Sequence, residues 1–60
     1  MNKEHMIQDL MREIEMDFSF DLRLGLIDRD RFNGIMKSEA EQLREKGYAE
    51  IERLFLRVAA

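Results

Sequence analysis

Apolar residues recur at helical spacing in the first third of the chain. One series follows intervals of three and four and consists of Ile7, Met11, Ile14, Phe18 and Leu22, with Leu10 flanking it. At about 100° per residue, these positions fall in one sector of a helical wheel, which is typical of a helix with one face in a core. We therefore predict a helix over about residues 4–24, with Asn2 as its N-cap residue.

A second apolar series lies on nearly the opposite side of the same predicted helix. Its members are spaced by four and are Met16, Phe20 and Leu24. A single partner helix cannot cover two opposite faces. We therefore predict that Met16, Phe20 and Leu24 form the interface of a homodimer.

The stretch from Leu22 to Phe32 predicts a tight corner between two helices. Gly25 can adopt the positive φ that ends a helix without strain, and Asp28 can cap the next helix. Leu26 and Ile27 lie between them and are too apolar for a free loop. We expect a corner over residues 25–28 that is packed against the rest of the protein.

Beyond the corner, one apolar stripe continues almost to the end of the chain. Its positions, spaced 4, 4, 3, 4, 4, 3 and 4 apart, are Phe32, Met36, Ala40, Leu43, Gly47, Ile51, Leu54 and Val58. The unbroken spacing favours one continuous or kinked helix over about residues 29–58. Alternatively, Gly47 is the C′ residue of a Schellman motif with Tyr48 packed on Leu43, and a third helix covers residues 49–58.

These patterns predict an all-α fold, an antiparallel helical hairpin or a three-helix unit, in one small domain over residues 1–60. A 60-residue chain buries only about 60% of the surface that it exposes when unfolded, so its core is small. The chain has no cysteine and one histidine, which argues against disulfides and against a zinc site within one chain. Self-association into a helical bundle is the source of additional stability that remains.

Composition narrows the function classes. Charged residues make up 38% of the chain, but acids and bases are intermixed and the net charge is −3, so we expect no nucleic-acid partner. No apolar run is long enough to cross a membrane, and nothing resembles a signal peptide. We expect a soluble cytoplasmic protein, complete from its initiator methionine, with no membrane partner.

Acidic side chains form a row along the first predicted helix, four residues apart, at Asp9, Glu13, Asp17 and Asp21. Like charges at this spacing cost an isolated helix about 0.2–0.5 kcal/mol per pair. The row could bind a basic patch on a larger protein. It could also pair across a dimer with Lys46, Arg53 and Arg57, which are predicted to share one side of the second helix. The alternative is a solvated face with no partner.

The segment Asp28-Arg-Asp-Arg-Phe-Asn-Gly-Ile-Met-Lys-Ser-Glu39 resembles the calcium loop of the EF-hand family. The resemblance implies carboxylate ligands from Asp28, Asp30 and Glu39 and a backbone carbonyl from Gly34. Phe32 replaces an oxygen ligand, and Asn33 replaces the glycine of the sharp turn. The alternative interpretation makes Asp28 a helix cap, with no metal ligand in the segment.

The corner Gly-Leu-Ile-Asp-x-x-x-Phe also resembles the Gly-Leu-Ile-Thr-x-x-x-Phe turn of short helical oligomerisation modules of the SHOCT type. This resemblance implies a helix–turn–helix geometry.

No residues are spaced for catalysis. Glu13 and Glu15 point to different sides of a helix, and no serine or histidine is placed as a nucleophile or a base. We therefore expect no enzymatic activity and no cofactor. The sequence favours a small regulatory or adaptor protein that acts as a homodimer and binds a larger protein. An EF-hand-like, calcium-responsive module over residues 28–39 is the alternative.

Overall fold

The computed structural model describes residues 2–59, and that part of the chain is helical with no strand. Three helices follow one another along the chain: α1 covers Lys3–Arg23, α2 covers Arg29–Glu45 and α3 covers Tyr48–Ala59. The all-α prediction is confirmed.

The two ends of α1 form as the local sequence predicts. At its start, the Asn2 side chain accepts a hydrogen bond of 2.8 Å from the backbone N–H of His5. At its end, Gly25 has a φ of 77° and donates to the Leu22 carbonyl at 3.2 Å, while Leu26 N–H donates to the Asp21 carbonyl at 3.0 Å. This pair of bonds defines a Schellman motif, which satisfies carbonyls that the helix itself leaves free.

The corner is fixed by hydrogen bonds and not by burial. The Asp28 carboxylate accepts from the backbone N–H of Arg31 at 2.7 Å, so its predicted capping role is confirmed. Leu26 is 69% exposed, whereas Ile27 is half-buried. The expectation of a packed-down corner is therefore wrong for Leu26. Backbone bonds already hold the turn, and α3 packs at the opposite end of α1.

The prediction of a continuous helix through Gly47 is wrong, because the chain breaks between α2 and α3. Lys46 has extended backbone angles (φ −78°, ψ 149°) and donates its N–H to the Leu43 carbonyl at 3.2 Å. The Gly47 carbonyl accepts from Ile51 N–H at 3.1 Å and so opens α3. The alternative with a third helix is thus closer, but its Schellman motif is not formed, because Gly47 does not have a positive φ.

Helix α1 is the centre of the fold. It packs against both α2 and α3, whereas α2 and α3 make almost no contact with each other. The Cα atoms accordingly fill a flat volume of 35 × 23 × 13 Å. Lys3 Nζ donates to the Arg44 carbonyl at 3.2 Å, which places the start of α1 beside the end of α2 and confirms that these two helices run antiparallel.

The buried core occupies only one end of this arrangement. Its members, all at most 6% exposed, are Met6, Ile7, Leu10, Leu43 and Ile51. Met11, Ile14, Leu54 and Phe55 pack against them and are partly buried. Between residues 11 and 42 no side chain is fully buried. The corner half of the hairpin is therefore a two-helix layer that no third helix covers.

Candidate protein-interaction surface

Three large apolar side chains, on α1 and on its C-cap residue Leu24, lie in solvent, and we call them the apolar row. Met16 is 63% exposed, Phe20 61% and Leu24 59%. Side chains four residues apart lie above one another on a helix, so the three form one continuous strip. Leu26 adds a fourth exposed apolar side chain at the corner end of α1. The structure thus leaves uncovered the residues from which a dimer interface is predicted.

The position of α3 explains why the apolar row is uncovered. Residues near the end of α3 share a cleft with one stretch of α1, and the cleft is lined by Asp9, Leu10, Arg12, Glu13, Phe55, Val58 and Ala59. Helix α3 begins three residues after the end of α2, and that end of α2 lies beside Lys3 at the start of α1. Helix α3 therefore runs in the same direction as α1 and reaches Ala59 about one turn before Met16. The apolar row begins where this cover stops.

The predicted acidic residues form the edge of the apolar row. Glu13, Asp17 and Asp21 each precede a member of that row by three positions, and side chains at this spacing are helix neighbours with Cβ atoms about 5–6 Å apart. Glu13 and Asp17 are exposed, and Asp21 is half-buried. Apolar contact area and negative charge therefore lie side by side on this half of α1.

The acidic side chains have little compensation within the chain. Among residues 2–59, the one ion pair joins Arg12 Nη1 to Asp9 Oδ1 at 3.7 Å, with the Arg12 side chain exposed and the Asp9 side chain partly exposed. Exposed pairs of this kind contribute only about 0–1 kcal/mol to stability. Glu13, Asp17 and Asp21 take part in no ion pair within that range, so their charges are open to a partner.

The break between α2 and α3 separates the basic residues that were expected to pair with the acidic row. The sequence pattern places Lys46, Arg53 and Arg57 on one side of a continuous helix, but Lys46 is the C-cap of α2 and lies outside α3. Arg53 and Arg57 remain one turn apart on α3. The prediction of a single basic side made by all three residues is therefore wrong.

The other edge of the apolar row carries mixed charge. An open depression there is lined by Glu15, Met16, Ser19, Phe20 and Arg23. Glu15 and Arg23 are eight residues apart and lie at opposite ends of the depression, with Ser19 between them. Opposite charges therefore mark the two ends of this depression.

The hairpin beneath the apolar row is itself incompletely packed. Phe18 and Leu22 of α1 and Phe32 of α2 are half-buried, although the sequence pattern predicts them in the core. The Arg29 guanidinium lies 6.0 Å from the centroid of the Phe32 ring, at the outer limit of a cation–π contact. The corner half of the molecule therefore has apolar surface to bury in addition to the apolar row.

The carboxylates implied by the EF-hand resemblance are not brought together. Residues 29–45 are helical, and Asp30 and Glu39, which are nine positions apart, are therefore separated by about 13 Å along the α2 axis. The Asp28 carboxylate caps that helix. No group of three or more His, Asp or Glu side chains within residues 2–59 is placed to hold a metal ion. The segment therefore forms the start of a helix capped by Asp28 and not a calcium-binding loop.

Two structural residues do not stand out in the sequence pattern. Met6 is only 1% exposed, although the methionines of α1 as a set follow no single face. Its spacing of four from Leu10 is the signal that marks it. Lys3 lies beside the chain terminus, where fraying is expected, yet its ammonium group caps the C-terminus of α2, where the helix dipole favours a cation.

No helix within the described residues combines the length and apolarity needed to cross a membrane. No protein-family model, no curated protein and no solved structure matches this chain.

Proposed function

We propose that this chain is a small non-catalytic interaction protein that acts as a homodimer through the apolar row and binds a larger protein through the acidic row. The observation that carries the proposal is the exposure of Met16, Phe20 and Leu24, each about three-fifths open to solvent on one strip of α1. Contiguous exposed apolar surface of this kind marks interaction sites in soluble proteins.

Burial of the apolar row supplies the free energy for association. Complete burial of a Phe, Leu or Met side chain contributes about 1.5–3 kcal/mol, so covering the exposed three-fifths contributes about 1–2 kcal/mol for each. A symmetric dimer buries six such side chains, two copies of each.

The mixed edge of the apolar row favours an antiparallel pair. In an antiparallel two-fold pair, each edge of α1 faces the same edge of its partner. The two copies of Ser19 then face each other. Glu15 of each chain lies opposite Arg23 of the other chain, which gives two equivalent pairs. This gives the antiparallel four-helix core that two hairpins can form, with exposed rim pairs that fix orientation more than they add stability.

The same geometry concentrates charge on the opposite edge. The acidic rows of the two chains meet there, which repels the copies weakly in water and produces a doubled negative surface. A basic patch on a larger protein removes this repulsion when it binds. The proposed partner is therefore a protein with clustered lysine or arginine, and its binding falls as salt screens the charges.

Sedimentation equilibrium tests the self-association. The expected result is a reversible monomer–dimer equilibrium at micromolar concentration, and monomer alone across that range contradicts the proposal. Affinity capture from the native cell tests the second part. Capture should retain a basic protein at low salt and lose it when Glu13 and Asp17 are replaced by glutamine.

A further inference from the structure

The residues at the break between α2 and α3 favour it only weakly, through a glycine that is an accepted N-cap and a poor interior helix residue. The apolar stripe from Phe32 to Val58 keeps its helical phase through Gly47, so the same sequence also suits one long helix. Neither proline nor a Ser, Thr, Asp or Asn cap stands at the break, and Gly47 has no positive φ. A Cβ atom at position 47 would meet nothing within 4 Å. A side chain at this position is therefore sterically tolerated in the broken arrangement.

What holds α3 in place is its packing on α1. Ile51 is completely buried in the core, and Leu54 and Phe55 pack against it. Helices α3 and α2 hardly touch each other. If the break straightens, α3 therefore separates only from its own α1, and the α1 helix of a second chain can take over that packing.

We propose that Lys46 and Gly47 form a hinge through which two chains exchange α3. With the hinge straight, α2 and α3 become one helix, and α3 of one chain packs on the first half of α1 in the other. The occupant is a second copy because that face of α1 already fits this helix in its own chain. Exchange of an identical element is a low-cost route to dimers. This interface is distinct from the apolar row and lies at the other end of α1.

Substitutions at Gly47 test the hinge, because a Cβ atom added there meets nothing within 4 Å in the broken arrangement. Alanine is a poor N-cap and a good interior helix residue, so Gly47→Ala should favour the straight hinge roughly tenfold per hinge, or a hundredfold per dimer. Gly47→Pro should block it, since proline interrupts a continuous helix but accepts the extended backbone that Lys46 already has.

The variants are compared in a Phe20→Glu background, which disables the apolar row and separates this test from the homodimer proposed above. The chain has no cysteine, so Arg12→Cys and Ala59→Cys introduce a unique pair across the cleft between α1 and α3. A thiol cross-linker that spans the cleft joins the two sites within one chain in the monomer. In the exchanged dimer it joins sites on different chains and gives a dimer band on a denaturing gel.

The expected result is a dimer band that grows with protein concentration, is strongest for Gly47→Ala and is absent for Gly47→Pro. Circular dichroism verifies that each variant keeps its helicity. If the proline variant unfolds, Gly47→Asp replaces it, because aspartate is a good N-cap and a poor interior helix residue. A purely monomeric product from Gly47→Ala up to millimolar concentration overturns the proposal. Equal dimer bands in all variants also overturn it, because the link would then not depend on the hinge.

Discussion

Substitution of Phe20 by glutamate is the sharpest perturbation of the proposed homodimer. Phe20 is the middle member of the apolar row and is 61% exposed in the single chain, so its replacement removes little from the fold. It places a charge at the centre of the strip that a second copy would cover. A charge buried in that position without a partner is costly. We therefore expect the variant to fold normally and to be a monomer.

The expected magnitude follows from the exposed fraction of the ring. Complete burial of a phenylalanine contributes about 1.5–3 kcal/mol, and three-fifths of that is about 1–2 kcal/mol per chain. A dimer contains two copies, so the substitution removes about 2–4 kcal/mol of association free energy. Because about 1.4 kcal/mol is tenfold in an equilibrium constant, dimer affinity should fall by roughly 30-fold or more.

Sedimentation equilibrium measures the effect, and Leu56→Glu is the matched control. Leu56 is 58% exposed, nearly the same as Phe20, but it lies on α3 and outside the apolar row. The dimer affinity of Leu56→Glu should therefore stay within about threefold of that of the unmodified protein. If both variants weaken the dimer equally, or if neither does, the apolar row is not the interface.

Three further predictions concern the corner and the acidic row. Gly25→Val should lower the melting temperature strongly, because a β-branched residue is strained at a φ of 77°, whereas Gly34→Val provides a control without positive φ. Asp28→Ala should cost about 0.5–2 kcal/mol of unfolding free energy by denaturant titration, and Asp28→Ser should retain most of it, since serine also caps helices. Replacing both Glu13 and Asp17 by glutamine should leave helicity intact and slightly strengthen the dimer, because repulsion between the two acidic edges is relieved. If the salt dependence of dimerisation does not change, the two acidic edges do not meet in the dimer.

Local sequence determined most of the helical architecture. The start of α1 at Asn2, its Schellman end at Gly25 and the cap at Asp28 were all predictable, because each depends on hydrogen bonds within a few residues. The apolar row was predictable as surplus to a two-helix core, because its spacing alone places it opposite the main apolar face. Its role as an interface stays a prediction, since the structure of one chain shows only that it is uncovered.

Tertiary packing decided the rest, above all the break at Lys46 and Gly47. The stripe from Phe32 to Val58 suits one long helix or two shorter ones, so periodicity alone could not choose between them. Folding α3 back sacrifices a few helical hydrogen bonds, each contributing about 0.5–1.5 kcal/mol. It buries Ile51 completely, for about 1.5–3 kcal/mol, and adds partial burial of Leu54 and Phe55.

That choice also fixed where the core lies. Because α3 covers only the first half of α1, Met6 became buried, whereas Phe18 and Phe32 stayed half-exposed at the corner end despite their place in the pattern. A periodic sequence specifies which face of a helix is apolar. Only the position of the neighbouring helix determines how much of that face is removed from water.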